Sequence, residues 1–195
     1  MITTSPAPDL DYDLARLARM VRAAPGILDA LTWWAGFPLH TQQATEPVTE
    51  ALDHADAPLL DLPPGTPVLR RTTRLTAAMT TPILIAATVT ELVAEPALRL
   101  DVTARRALHD GGQLIESLID GLHRAAYLVT RPQIGHHYDE DGTTPVIISR
   151  AVLSAAGRPV ALTTETVRRQ LLTRRAPGVL PHYAAHLPTP TQAAR

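Results

Sequence analysis

The chain has 195 residues, of which 45% are hydrophobic, and its formal net charge is -1. This length and composition predict a single domain with one core over residues 1–195, and the near-neutral charge leaves no basic surplus for binding the phosphates of nucleic acid. The sequence contains no cysteine and no lysine, which excludes disulfides, thiolate nucleophiles, cysteine-based zinc sites and Schiff-base chemistry.

The N-terminal segment and the hydropathy pattern predict a cytoplasmic protein. Residues 1–11 are polar and lack the basic and apolar regions of a secretion signal. No apolar run approaches the roughly 20 residues that cross a bilayer, so we expect no membrane partner. An ordered core is expected from about residue 11 to residue 176, followed by a flexible, proline-rich C-terminal tail.

The first third of the chain predicts two helices, a strand and a long connection. Apolar residues recur at helical spacing over residues 11–21 and again over residues 27–35. Residues 37–43 are predicted as the first strand. Residues 44–65 are rich in Pro, Asp and Glu, which indicates a connection with one helical turn at residues 48–54.

Two predicted hairpins flank a pair of helices in the rest of the chain. The hairpins are runs rich in β-branched residues, namely 67–77 with 82–93 and 145–154 with 159–168. Between them the pattern predicts helices at residues 101–108 and 113–124 and a strand at residues 126–134. This order of elements predicts an α+β fold in which helices cover an antiparallel β-sheet.

Arg71 falls on the apolar face of the strand predicted at residues 67–77. With a period of two, it shares that face with Leu69 and Leu75, whereas Arg70 points to the other side. A buried arginine is costly unless it is paired or lines a cavity, and its guanidinium can hold a carboxylate with two hydrogen bonds. The position therefore indicates a site for a carboxylate ligand, an arginine paired with an internal acid, or an ordinary edge charge.

Glu165 lies in a similar position on the last predicted strand. It alternates with Ala161, Thr163 and Val167, whose small side chains leave room for a ligand. Burial disfavours the charged form of a carboxyl group, which suits it to general acid catalysis unless an arginine lies opposite. The alternative is a structural ion pair between Glu165 and an arginine that bridges two strands.

Three stretches together resemble the chorismate lyase family, in particular its shorter branch. They are residues 67–71 (PVLRR), 85–89 (IAATV) and 153–165 (LSAAGRPVALTTE). The resemblance extends from about residue 17 to residue 167. It implies that Arg71 binds a substrate carboxylate and that Glu165 acts as the acid, with Arg70 as the fallback if the register slips by one residue.

The resemblance also implies further substrate contacts. Backbone groups near Leu114 and Ile27 would bind the substrate, and Arg150 stands where the family has one of two paired arginines. Two departures bear on activity, because the glycine that usually follows the leucine is Ile115 here and the other paired arginine is Ser149. Either change could alter the substrate while leaving the fold intact.

The implied reaction is the elimination of pyruvate from chorismate to give a hydroxybenzoate. Arg71 would anchor a carboxylate and Glu165 would act as general acid and base on the departing enolpyruvyl group. No metal or organic cofactor is expected, and the partner is a small carboxylic acid. The protein is expected to be a monomer or a homodimer.

A binding module is the alternative to an enzyme. The same fold serves as the effector-sensing domain of GntR-type regulators, whose Leu-Pro-x-Gly-x-Pro-Val-Leu-Arg-Arg stretch resembles residues 62–71. Such regulators carry an N-terminal winged helix, and the residues before Asp61 are too few and too acidic for one, which favours the enzyme. The acidic and histidine-rich stretch at residues 135–142 is interpreted as a solvated loop rather than a metal site.

Overall fold

The computed structural model describes residues 10–77, 83–132 and 144–173. Its centre is a six-stranded antiparallel sheet with the strand order β1-β2-β3-β6-β5-β4. The strands are β1 (His40–Ala51), β2 (Pro67–Ala77), β3 (Leu84–Val93), β4 (His123–Thr130), β5 (Pro145–Ala155) and β6 (Arg158–Arg168). The predicted α+β class is confirmed.

Five α-helices accompany the sheet in the described residues. They are α1 (Leu10–Ala23), α2 (Ile27–Ala35), α3 (Ala57–Leu60), α4 (Val102–Asp110) and α5 (Gln170–Thr173). The helices predicted at residues 11–21, 27–35 and 101–108 are confirmed as α1, α2 and α4. Asp101 caps α4 because its Oδ1 accepts the amide of Ala104 at 2.7 Å.

Both predicted hairpins are confirmed. β2 pairs with β3, and β5 pairs with β6. The turn of the second hairpin is Ala156-Gly157, and both residues have positive φ (49° and 78°). Two consecutive positive φ values give a turn whose twist matches that of the flanking strands, so a glycine at position 157 relieves the strain that a side chain would meet.

Two sequence predictions were wrong. The connection predicted at residues 44–65 begins as strand, because β1 continues to Ala51, and the helical turn lies at Ala57–Leu60 instead of residues 48–54. β1 is an edge strand exposed along both faces, so it carries no apolar alternation to reveal it. The helix predicted at residues 113–124 is a 3-10 turn at Ile115–Ser117 followed by the start of β4.

The inner face of the sheet, which carries Arg71 and Glu165, is covered by helices at both ends. At one end α1, α2 and α5 pack over Leu75, Val89 and Val167. At the other end Leu108 of α4 and Ile115 pack over residues that include Leu69, Val93 and Leu153. The polar residues of the inner face lie in the rows between these two apolar clusters.

The outer face is covered at one end by α3. Ala57 and Leu60 of this helix pack with Val68 and Leu162. In the described residues no helix is long and apolar enough to cross a membrane. The C-terminal tail, the loop at residues 135–142 and the end of the strand predicted at 126–134 lie outside the described residues.

Candidate functional site

A belt of polar side chains crosses the inner face between the two apolar clusters. The strand register aligns Arg71 with Glu91 and Glu91 with Thr163, and the next row contains Glu165 beside Ser149. Arg71 and Glu165 are each 1% exposed. They lie two strands apart, which corresponds to roughly 10 Å across the sheet, so both predicted site residues point into the same interior.

Arg71 forms a buried ion pair with Glu91 on the neighbouring strand. The Arg71 Nε and Glu91 Oε2 atoms are 2.9 Å apart, and Arg71 Nη1 donates to the carbonyl of Leu108 at 3.1 Å. The other Glu91 oxygen accepts the amide of Ile115 at 2.8 Å. Burial lowers the pKa of Arg71 and raises the pKa of Glu91, and the attraction between the two charges opposes both shifts.

The Arg71 guanidinium is left incompletely hydrogen-bonded by this pair. Its Nη2 atom is buried and has no hydrogen-bond partner among the described residues. An unpaired polar group in a dry interior costs about 1–3 kcal/mol, and more when it is charged. Arg71 therefore keeps donor capacity that none of the described residues uses.

Glu165 forms a second buried ion pair, with Arg124 of β4. Arg124 Nε donates to Glu165 Oε1 at 2.8 Å, and Arg124 Nη2 donates to Glu165 Oε2. Thr163 also donates to Oε1 at 3.2 Å. The structural alternative considered for Glu165, an ion pair bridging two strands, is what the structure contains.

Arg124 also binds the end of α1. Its Nη1 donates to the carbonyls of Val21 and Ala24 at 2.9 and 3.0 Å, and its Nη2 donates to Ser149 Oγ at 3.1 Å. The last carbonyls of a helix lack partners within the helix and carry partial negative charge. Arg124 therefore neutralises both Glu165 and the C-terminal end of α1.

Glu116 supplies a negative charge at the start of α2, as Arg124 supplies a positive charge at the end of α1. No side chain of its own segment caps α2, and Glu116 Oε1 accepts the amide of Ile27 at 3.0 Å. A carboxylate is favourable there because of the free amides and the positive end of the helix dipole. Burial and the nearby charge of Glu165 raise the pKa of Glu116 to about 7, although the amides of Leu28 and Ile27 oppose the shift.

A cavity of about 290 Å³ opens beside Glu116. This volume is near the lower limit for pockets that hold small ligands, roughly 300–1,000 Å³. The walls combine leucines with two carboxylates and are formed by Pro25, Gly26, Leu28, Asp29, Leu114, Glu116, Ser117 and Leu122. Arg71 and Glu165 do not line this cavity, but Ile115, between two wall residues, donates its amide to Glu91.

The structure places the other predicted site residues in two groups. Leu114 lines the cavity, and the amide of Ile27 lies at its edge on Glu116. Arg70, the fallback for Arg71, and Arg150 lie away from this interior, because alternation along their strands turns them to the outer face. The Arg70 side chain is 50% exposed and pairs with Glu50 at 3.6 Å.

Arg150 links the start of α3 to the outer face of the sheet through a hydrogen bond. It donates to Asp56, which precedes α3, and its guanidinium lies 5.8 Å from the centroid of the Tyr127 ring. Ser149, one residue earlier, points inward to Arg124. Position 149, one of the two positions at which the resemblance implies paired arginines, therefore carries the hydroxyl group that Arg124 binds.

Three charged residues at or beside the belt were not predicted. Glu91 alternates with Val89 and Val93 on the apolar face of β3, so the argument applied to Arg71 could have found it. Arg124 was assigned to a helix, and Glu116 lies in a 3-10 turn of the same stretch. Neither has a periodic signal, because their burial depends on α1 and α2, which are distant in sequence.

Comparison with known proteins identifies the fold. No family model matches the chain, and no curated protein matches it in sequence. Among solved structures it is similar to PhnF from Mycobacterium smegmatis (TM-score 0.51, 13% identity, 74% of this chain and 64% of that chain). It is also similar to the effector domain of PhnF from the same organism (TM-score 0.50, 13% identity, 74% and 88%).

A GntR-family regulator from Bacillus cereus is a weaker match (TM-score 0.44, 11% identity, 66% of this chain and 90% of that chain). The chain thus spans less than two thirds of the PhnF chain and most of its effector domain. At these identities the similarity shows the fold alone. The chain has the fold of the effector domain of PhnF.

Proposed function

We propose that this chain is a small-molecule binding domain that holds a carboxylic acid beside Arg71 without catalysing a reaction on it. The observation that carries the proposal is the Nη2 atom of Arg71, a buried charged donor with no hydrogen-bond partner among the described residues. A ligand carboxylate would accept from this atom and offset the cost of leaving it unpaired.

The cavity beside Glu116 supplies the space for such a ligand. Its wall residues Leu114 and Glu116 flank Ile115, whose amide binds the carboxylate partner of Arg71. Arg71 does not line the cavity, so we expect the carboxylate of a ligand whose body lies there to extend past Ile115 to the Nη2 atom of Arg71. Leucines in the walls suit an apolar or aromatic body, and the buried cation suits an acidic group.

The similarity to the effector domain of PhnF supports a binding role. An effector domain is the part of a regulator that responds to a ligand, and the fold shared with this chain covers 88% of that domain. We extend only the general role, a small-molecule site, to this chain. The acid-binding property comes from Arg71 and not from the similarity.

A chorismate-pyruvate lyase is the second candidate. The observation that favours it is the burial of Arg71 and Glu165 on one face of the sheet, as the resemblance to chorismate lyases implies. Against it, both oxygens of Glu165 accept hydrogen bonds from Arg124. A general acid needs an oxygen atom that can reach and protonate the leaving group, and these hydrogen bonds leave neither oxygen of Glu165 free of a guanidinium donor.

Calorimetric titration with benzoate and 4-hydroxybenzoate tests the binding role. The informative variant carries Arg71→Met and Glu91→Gln, which removes the inner ion pair without leaving a buried charge. Its matched control carries Arg70→Met and Glu50→Gln, which removes the exposed ion pair from the other face of the same strand. We expect at least a tenfold loss of affinity in the inner variant, since hydrogen bonds to charged groups contribute about 1.5–3 kcal/mol, and unchanged affinity in the control.

An assay for pyruvate release from chorismate separates the two candidates. We expect no release above background, and no difference between the wild-type protein and the Glu165→Gln variant. Release that the Glu165→Gln variant abolishes would establish the lyase in place of the binding domain. Binding of either acid with equal affinity to both ion-pair variants would remove Arg71 from the proposal.

A further inference from the structure

Glu91 has a buried oxygen atom to which none of the described residues donates a hydrogen bond. Its Oε2 atom has no hydrogen-bond partner in the described part of the chain, and the residue is 1% exposed. Oε2 lies 2.9 Å from Arg71 Nε, but Nε also lacks a hydrogen bond to the described residues, so this contact joins opposite charges without hydrogen-bond geometry. An acceptor of Glu91 and a donor of Arg71 are therefore both unused in the same interior.

The threonine hydroxyl groups beside this pair serve other acceptors. Thr163 is aligned with Glu91 in the strand register, and its hydroxyl group donates to Glu165 Oε1 at 3.2 Å. Thr73, on the inner face of β2, donates to the carbonyl of Gly111 at 3.3 Å. Because a hydroxyl group has one hydrogen to donate, neither threonine can supply Oε2 of Glu91 while it keeps its present bond.

A second carboxylate on the Arg71 guanidinium would meet the charge of Glu91. The proposed ligand carboxylate accepts from Nη2, and Glu91 already lies against Nε of the same group. One positive charge would then face two negative charges in a buried site, where like charges repel strongly. A ligand group that donates to Oε2 would offset this repulsion, because hydrogen bonds to charged groups are stronger than those between neutral groups.

The two unused atoms lie side by side. Nε and Nη2 of Arg71 are bonded to the same carbon atom of the guanidinium, and Oε2 of Glu91 is 2.9 Å from Nε. A ligand that uses both unused atoms therefore needs its own acceptor and donor close together. A carboxylate with a hydroxyl group on the adjacent carbon has this spacing, whereas the hydroxyl group of 4-hydroxybenzoate lies across the ring from its carboxylate.

We infer that Glu91 determines the specificity of the site, because its Oε2 accepts the hydroxyl group of a ligand that is a 2-hydroxy acid. This inference rests on the proposed function, since the ligand carboxylate still binds Nη2 of Arg71. The leucines of the cavity wall suit an aromatic body on such an acid. A 2-hydroxy acid satisfies both the donor of Arg71 and the acceptor of Glu91, whereas a plain acid leaves Oε2 unpaired.

Calorimetric titration of the full chain with mandelate and phenylacetate tests the inference, because the two acids differ only in the 2-hydroxyl group. Burial raises the pKa of Glu91, while the charge of Arg71 and the amide of Ile115 oppose the shift. The titration is therefore done at about pH 8, which favours the ionised acceptor. We expect one enantiomer of mandelate to bind at least tenfold more tightly than phenylacetate, since a buried acceptor left unpaired is costly.

The Glu91→Gln variant removes the acceptor and keeps the other contact of this side chain. Its side-chain carbonyl can still accept the amide of Ile115, as Oε1 does in the wild-type protein, and its NH2 group puts a donor in place of Oε2. We expect the ratio of the two affinities to fall to about one. The matched control is Glu50→Gln, which neutralises the glutamate paired with Arg70 on the outer face and should keep the wild-type ratio.

The wild-type protein provides a second test that does not depend on the folding of Glu91→Gln. The methyl ether of mandelate keeps the 2-oxygen but has no hydrogen to donate, so it should bind no more tightly than phenylacetate.

Equal affinity for mandelate and phenylacetate, binding of the ether as tight as that of mandelate, or a preference that persists in Glu91→Gln would overturn the inference. The proposed function would still stand if the combined Arg71→Met and Glu91→Gln variant loses the acids that the wild-type protein binds. If the wild-type protein binds none of these acids, and neither benzoate nor 4-hydroxybenzoate, both fail.

Discussion

Arg124 and Arg71 are both buried arginines paired with a glutamate, but their surroundings differ. Arg124 makes five hydrogen bonds, which involve all three of its nitrogen atoms. Arg71 makes an ion-pair contact through Nε and one hydrogen bond through Nη1, and its Nη2 has no partner among the described residues. All three nitrogen atoms of Arg124 are therefore hydrogen-bonded, whereas Arg71 has one nitrogen atom without a partner in the described part of the chain.

This difference separates a structural ion pair from a candidate binding group. A fully bonded buried pair fixes the elements that it joins, and here it joins β4, β6 and the end of α1. An incompletely bonded pair costs stability that a ligand could restore. Burial alone therefore does not distinguish the two arginines, whereas the count of unused donors does.

The largest expected effect comes from removing Arg124. The Arg124→Met variant leaves the Glu165 carboxylate buried without a counter-charge and removes the partner of the Val21 and Ala24 carbonyls. We expect the free energy of unfolding to fall by about 3–5 kcal/mol, measured by urea denaturation. The control Arg74→Met removes an exposed arginine and should cost less than about 0.5 kcal/mol.

A smaller loss is expected when the other ion pair is removed as a whole. The combined Arg71→Met and Glu91→Gln variant leaves no buried charge, and the side-chain carbonyl introduced by Glu91→Gln can still accept the amide of Ile115. We expect a loss of about 1–2 kcal/mol in the same measurement. A loss as large as that of Arg124→Met would show that Arg71 is structural and would remove the contrast between the two pairs.

The smallest expected effect is at the corner between the two N-terminal helices. In Gly26→Ala the added methyl group would press on Glu116 Oε1, and we expect a loss of about 0.5–1 kcal/mol. In the Glu116→Ala background this loss should disappear, because the group that it contacts is gone. A loss of equal size in both backgrounds would place the strain elsewhere.

For the strands that are buried on one face, alternation in the sequence was sufficient to predict which side chains point to that face. The position of Arg71 relative to Leu69 and Leu75, and that of Glu165 relative to Val167, follow from a period of two once the hairpins are recognised. The same rule distinguishes Arg71 from Arg70. The cost of burying a charge also indicated that each of these residues needs an opposite charge nearby. An ion pair was therefore one of the alternatives for both Arg71 and Glu165.

Identification of the partners required the three-dimensional arrangement. Arg124 is the only buried residue of β4, so the strand has no periodic pattern to set it apart from a helix. Glu116 is buried by a helix that lies 89 residues earlier in the sequence. Interactions over such distances follow from the topology of the sheet and the packing of α1 and α2, which local patterns do not encode.

The exposed edge of the sheet has its own consequence. β1 pairs only with β2 in the described residues, and its register shifts on both sides of Thr45. Pro47 lies within the second shift and has no amide hydrogen to donate, and Gly111 at the end of α4 lies against its ring. An edge interrupted by a proline and two register shifts is a poor template for the strand of another molecule, so we expect this side of the sheet to resist edge-to-edge pairing.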